Sequence, residues 1–299
     1  MTAHGKNPRR VILLAALACC LLIGIAYWFV AQPLNLKSEK VSLDGYSLSV
    51  RDYGRGRPTL IIEGGLACTK ELYTGLQADL AKTTRVISYD HAGIGESTPS
   101  ANPRTLPFYV QELRAMLARK GVPPPYILLG HSLGGHIIRY YAHLHPEEVA
   151  GLIFVEHPHE DWFKYIRKTW PKKDLDKYFE WWTPKGSTYK GTALEELLHY
   201  EENCDLIRGV YPPQDIPVLM FTGSANAHYQ PGAIERDRKV WSDLQASLLR
   251  GVKDARHIVD WETGHVPYRQ KPELFEREIC AFVRKIRIAQ ASHSTAGSP

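Results

Sequence analysis

Cysteine is scarce in this 299-residue chain, five in all, and methionine scarcer still at three. Cys19 and Cys20 sit inside an apolar run, while Cys68, Cys204 and Cys280 lie far apart with no Cys-x-x-Cys spacing. That pattern excludes a disulfide scaffold and carries no zinc-site signature, leaving open at most a single pair. Charge of one sign is also lacking. The 37 basic residues face 32 acidic ones, and Lys6, Arg9 and Arg10 carry three of the five net positive charges. Without a concentrated basic face to neutralise phosphates, the chain does not read as a nucleic-acid binder. It has neither of the common glycine-rich phosphate loops and no internal repeat. What is present is a globular composition, 44% hydrophobic and 23% charged, long enough to bury a large core.

One long uncharged run stands out. Residues 11–31 read VILLAALACCLLIGIAYWFVA, enough helix to span a hydrocarbon core of roughly 30 Å. Tyr27 and Trp28 lie toward its far end, and Lys6, Arg9 and Arg10 precede it without an acid among them. The expectation is an uncleaved single-pass anchor. Residues 1–10 would form a cytoplasmic tail, with the rest of the chain on the extracytoplasmic side of the membrane. A cleaved signal peptide is the alternative, although its apolar region is normally shorter and ends in small residues.

After a linker over 32–40 the pattern alternates. Residues 41–54 predict a hairpin around Asp44-Gly45. An apolar run at 59–65 and further short segments at 85–90, 126–131, 149–156, 217–223 and 255–262 predict strands. Between them, apolar residues at helical spacing predict helices through Leu72, Leu76 and Leu80, over 107–120, from 132 to about 145, over 234–249 and over 272–288. Strands alternating with helices imply an α/β architecture with a mostly parallel sheet covered on both faces. Residues 289–299 are expected to be a flexible tail. Residues 157–213 interrupt the alternation and hold Trp162, Trp170, Trp181 and Trp182, four of the seven tryptophans. So long an insertion reads as a helical cap over a pocket. Its Lys164, Arg167, Lys168, Lys172 and Lys173 read most simply as a solvated face, with anionic lipid head groups as a weaker alternative.

The chemistry falls at strand ends. Gly130-His131-Ser132-Leu133-Gly134-Gly135 follows a predicted strand and opens a predicted helix. A serine on so sharp a turn projects its hydroxyl above the sheet, flanking glycines avoid clashes, and the helix N-terminus favours developing negative charge.

With that motif the sequence resembles the serine hydrolases of the α/β-hydrolase fold. Three further segments carry the resemblance: Glu63-Gly64-Gly65-Leu66 after the third strand, Asp90 to Ser97 after the fourth, and Thr263-Gly264-His265-Val266-Pro267 after the last. It covers residues 41–288 and implies an eight-stranded, mostly parallel sheet. It implies Ser132 as nucleophile and His265 as base, and it argues against the branches that place Asp at the turn. His131 and His136 read as packing residues. The acid is open. The position after the 217–223 strand holds Asn226, and an amide cannot stabilise an imidazolium by charge. Some relatives take the acid from the preceding strand end, where this chain has Glu156; Asp161 or a dyad without an acid are the remaining options. The oxyanion donors implied are the backbone N–H groups of Leu66 and Leu133.

The expectation is therefore a membrane-anchored hydrolase of an ester, amide or thioester with an apolar portion, working without cofactor or metal. His157-x-His159 lacks further ligands at motif spacing. The rivals are an aminopeptidase or amidase, an acyltransferase on the same residues, and a non-catalytic binding protein on this fold.

Overall fold

The computed structural model describes residues 36–223 and 235–296. The segment 11–31 and Asn226 lie outside the described residues. Among the described residues no helix is long and apolar enough to cross a membrane.

Eight strands form one sheet: β1 Glu39–Ser42, β2 Ser47–Tyr53, β3 Thr59–Glu63, β4 Val86–Tyr89, β5 Tyr126–His131, β6 Val149–Val155, β7 Val218–Thr222 and β8 Ala255–Val259. Their spatial order is β1-β2-β4-β3-β5-β6-β7-β8. Only the β1–β2 and β2–β4 pairings are antiparallel. From β4 to β8 all pairings are parallel, so those strands end at one edge. Alternate residues of each central strand feed opposite layers. Ile61, Leu128, Phe154 and Met220 pack on one face, and Leu60, Ile62, Leu129, Ile153 and Phe221 on the other.

Helix α1 (Thr74–Leu80) follows a 3-10 turn, Lys70–Tyr73. Helices α2 (Leu106–Arg119) and α3 (Leu133–Leu144) cover the first face with Leu113, Leu117, Ile137 and Tyr141. Between β6 and β7 lie α4 (Trp162–Thr169), α5 (Lys172–Glu180), α6 (Thr192–Leu198) and α7 (Tyr200–Ile207). The helix α8 (Glu235–Ser247) precedes β8, and α9 (Pro267–Gln270) and α10 (Pro272–Ala296) close the chain. Phe275, Ile279 and Val283 of α10 pack with Leu76 and Leu80 of α1 on the second face.

Two expectations are corrected. The linker expected over 32–40 gives way to β1 at its end, where Glu39 pairs with Val50. Charged Glu39 and Lys40 hide that strand, yet charge is ordinary on an edge strand, where it discourages further pairing. The tail expected over 289–299 also fails at its start, since α10 runs to Ala296. Ala289, Gln290 and Ala291 are good helix formers, and Ser292 Oγ donates to the Ile288 carbonyl at 3.0 Å. The short α9 has no counterpart in the sequence pattern; Pro267 sits in its first turn, where a missing N–H costs nothing.

Candidate active site

Ser132 stands between β5 and α3 with φ 53° and ψ −121°, a positive-φ conformation that costs a non-glycine residue of order 1–3 kcal/mol. The surroundings enforce it. A Cβ on Gly130 would lie 2.4 Å from the Gly134 carbonyl oxygen, and one on Gly134 would lie 2.3 Å from that of Glu63. Both positions require the missing side chain. The Ser132 N–H donates to Val155 O at 3.0 Å, which ties the turn to the end of β6.

The same edge supplies the other groups. Glu156 follows β6, also at positive φ (48°). Its N–H donates to Phe221 O at 2.9 Å, and its Oε1 accepts the Gly223 N–H. Its Oε2 stands 3.6 Å from His265 Nδ1, with the carboxylate fully buried and the imidazole 24% exposed. That separation is ion-pair reach, slightly longer than a hydrogen bond. Ser132 and His265 line one cavity of about 610 Å³. Asp161, the other carboxylate considered for this role, pairs instead with Arg208 on the surface.

The residue before the nucleophile has a positioning arrangement of its own. His131 Nε2 lies 2.7 Å from the His265 carbonyl oxygen. A carbonyl only accepts, so Nε2 carries the proton and Nδ1 accepts from the Tyr73 hydroxyl at 3.0 Å. That hydroxyl in turn accepts the Gly65 N–H at 3.0 Å. Burial, followed by neighbouring His265, pushes the His131 pKa down to about 3, which keeps the ring neutral. His131 therefore does more than pack, because its two ring nitrogens tie the His265 loop to the loop after β3. His136 is fully buried and packs edge-on against His157 and Tyr200.

The loop after β3 runs against the nucleophile, for a Cβ on Gly65 would come within 3.1 Å of Ser132 Cβ. The Gly65 N–H is taken by Tyr73 and the Ala67 N–H by Glu196 Oε2 at 2.7 Å. Leu66 lies between them and lines the cavity. Leu133 begins α3, where backbone N–H groups point away from the helix.

The cavity wall is aromatic: Trp162, Phe163, Tyr178, Trp181, Trp182 and Tyr200 come from the 157–213 stretch, joined by Trp241 of α8. Asp174 and Lys177 are the acidic and basic side chains that join them in lining it. Lys164, Arg167, Lys168, Lys172 and Lys173, on α4 and α5, are exposed. His157 and His159 belong to no cluster of potential metal ligands among the described residues. His157 stacks on Phe154, and His159 Nδ1 accepts the Asp161 N–H. Sequence reasoning missed Tyr73, His91, Glu196 and Trp241. Glu63 was the one usable signal for part of this set, since a charged residue closing an apolar strand demands buried partners.

Comparison with known proteins agrees with the fold. A family model described as alpha/beta hydrolase fold matches residues 58–204. An AB hydrolase superfamily protein of Gibberella zeae is 26% identical over 77% of this chain and 88% of its own length. A 1-acylglycerol-3-phosphate O-acyltransferase of Arabidopsis thaliana is 29% identical over 75% of this chain and 52% of its own. Several other curated relatives are matched over half their length or less. Among solved structures, a thermophilic esterase from Thermogutta terrifontis superposes with a TM-score of 0.61 at 19% identity, covering 84% of this chain and 99% of that one.

Proposed function

The chain belongs to the α/β-hydrolase fold superfamily, and on that premise we propose that it is a serine hydrolase acting on a carboxylic ester with a bulky apolar portion. The observation that carries the reading is the buried Glu156 carboxylate 3.6 Å from His265 Nδ1, with His265 and Ser132 lining one aromatic cavity.

In the proposed mechanism Ser132 Oγ attacks the ester carbonyl while His265 Nε2 takes its proton, since a serine hydroxyl alone is a weak nucleophile. Glu156 holds the ring with Nδ1–H toward itself and stabilises the imidazolium. The N–H groups of Leu66 and Leu133 receive the oxyanion; losing one such donor typically costs about 3 kcal/mol of barrier. The alcohol leaves with the proton from His265, and an acyl-enzyme remains on Ser132. Water, deprotonated by His265, then attacks the acyl carbon, and His265 returns that proton to Ser132 Oγ as the acid is released. The aromatic walls gain from burying an acyl chain or an aryl alcohol, which favours ester over peptide substrates. Residues 11–31 would hold the domain at a membrane on the extracytoplasmic side, a reading that rests on the sequence alone.

A panel of p-nitrophenyl esters from acetyl to dodecanoyl, run beside the matching anilides, tests the proposal. Turnover of the esters with a pre-steady-state burst of nitrophenol supports it. Turnover of the anilides alone contradicts the ester assignment, and no burst or turnover with either contradicts the acyl-enzyme.

The Arabidopsis acyltransferase likeness favours one second reading, in which an acceptor alcohol replaces water. The acyl–Ser132 bond breaks, an acyl–oxygen bond to the acceptor forms, and the acceptor's proton passes through His265 to the departing Ser132 Oγ. Adding a long-chain alcohol to the ester assay would then yield a new ester at the expense of free acid.

A further inference from the structure

We propose that Glu196, contributed by the cap helix α6, is a positioning residue for the oxyanion loop and couples docking of the cap to catalysis. The inference rests on the serine-hydrolase reading above and extends it to a residue 129 positions from the loop it holds.

Glu196 is fully buried and uses both oxygens. Its Oε2 accepts the Ala67 N–H at 2.7 Å, and its Oε1 pairs with His91 Nδ1 at 2.8 Å. His91 is itself held from the other side by Glu63, whose Oε1 lies 2.5 Å from Nε2, while Glu63 Oε2 accepts the Tyr89 hydroxyl at 2.6 Å. One imidazole thus bridges two buried carboxylates, one at the end of β3 and one in the cap. A buried carboxylate without such a partner would be strongly disfavoured. Burial alone would lower the His91 pKa, but Glu63 and Glu196 together raise it to about 10, which keeps the bridge charged at neutral pH.

The position of this bridge gives it a function. Ala67 has φ 56°, an unfavourable conformation for alanine. The Glu196 carboxylate supplies a compensating bond at that residue. Because Gly65 is fixed by Tyr73 and Ala67 by Glu196, the peptide of Leu66 between them is clamped from both sides. An N–H that must meet an oxyanion is effective only if its direction is fixed before the reaction. The cap docks on the same floor elsewhere. Asn203 of α7 accepts the Leu106 N–H at 2.9 Å and donates to Arg104 O at 3.0 Å. A Cβ on Gly93 would strike Thr192 of α6 at 2.0 Å. Those contacts hold the cap; Glu196 alone among these reaches the loop beside the nucleophile.

Two variants separate positioning from packing. E196Q keeps an oxygen for the Ala67 N–H and can donate to a neutral His91, whereas E196A keeps neither. We expect E196A to lose about 10- to 100-fold in kcat with KM within about threefold, and to lose affinity for an alkyl boronic acid by a similar factor, because that adduct is tetrahedral. Amide exchange across residues 65–68 should rise in E196A and stay near wild type in E196Q, and E196Q should recover most of kcat. Unchanged kcat and exchange in E196A would overturn the proposal. So would losses in E196A and E196Q that simply follow their loss of melting temperature. If the wild type forms no acyl-enzyme, the hydrolase reading falls first; an active wild type indifferent to Glu196 removes this inference alone.

Discussion

Glu156 Oε2 and His265 Nδ1 face each other across 3.6 Å, one behind β6 and the other six residues beyond the end of β8. The carboxylate gets there because Glu156 adopts φ 48°, turns out of the strand, and is pinned through its own N–H to Phe221 and through Oε1 to Gly223. Positive φ in a glutamate is uncommon and marks a position fixed by its surroundings.

From this pairing follows the first prediction. Glu156→Gln preserves size and the bond from Gly223 but removes the charge opposite the imidazolium. Ester kcat should fall by about 100- to 10,000-fold, while the melting temperature stays within a few degrees and circular dichroism is unchanged. Activity close to wild type would return the acid role to another group.

A second prediction concerns Tyr73. Its hydroxyl is the shared partner of the Gly65 N–H and His131 Nδ1. Tyr73→Phe leaves both buried without that partner, so denaturant unfolding should show a loss of about 1–3 kcal/mol. Activity should fall as well, because the same hydroxyl holds one side of the loop beside Ser132. A neutral change in both would mean that the relay is not needed.

The His91 bridge sets a pH dependence of stability. Its folded pKa of about 10 lies above the ordinary 6.5. A raised histidine stabilises the folded state fully below the unfolded value, and that contribution is lost as pH rises through the folded one. Wild-type stability should therefore decline between about pH 6.5 and pH 10, with Glu63 and Glu196 as the opposing charges. In His91→Gln the decline over that window should be shallower. Melting curves taken at half-unit steps read the slope, and identical slopes would contradict the charged bridge.

Much of the fold is legible in the chain itself. The six runs from 59 to 262 all form strands; five are buried along their length, where no solvent face dilutes the apolar signal, while β8 is an exposed edge strand. Gly-His-Ser-Leu-Gly-Gly marks the setting of Ser132, since the turn's sterics are local. Glu156 can be named as a candidate from its strand-end position, but only the fold sets it beside His265. Tyr73 and Glu196 give no signal, for their roles arise from contacts between segments remote in sequence. The β1 start and the last turns of α10 escape notice because surface charge and small residues are compatible with several states.

Trp181 tests the substrate side of the mechanism. It is half-buried and lines the cavity, so Trp181→Ala removes wall area that a long acyl chain would cover. KM for a long-chain ester should rise about 10-fold while that for an acetyl ester changes little, an effect of the size expected for lost apolar burial. Equal changes for both chain lengths would place the acyl group elsewhere.

The most direct test of the nucleophile is covalent labelling with a fluorophosphonate, an electrophile that an activated serine attacks. Wild-type protein should gain one phosphonyl adduct, found by peptide mass on Ser132. Ser132→Ala should gain none, and Glu156→Gln should label more slowly. An adduct on another residue, or undiminished labelling of Ser132→Ala, would contradict the serine-hydrolase mechanism.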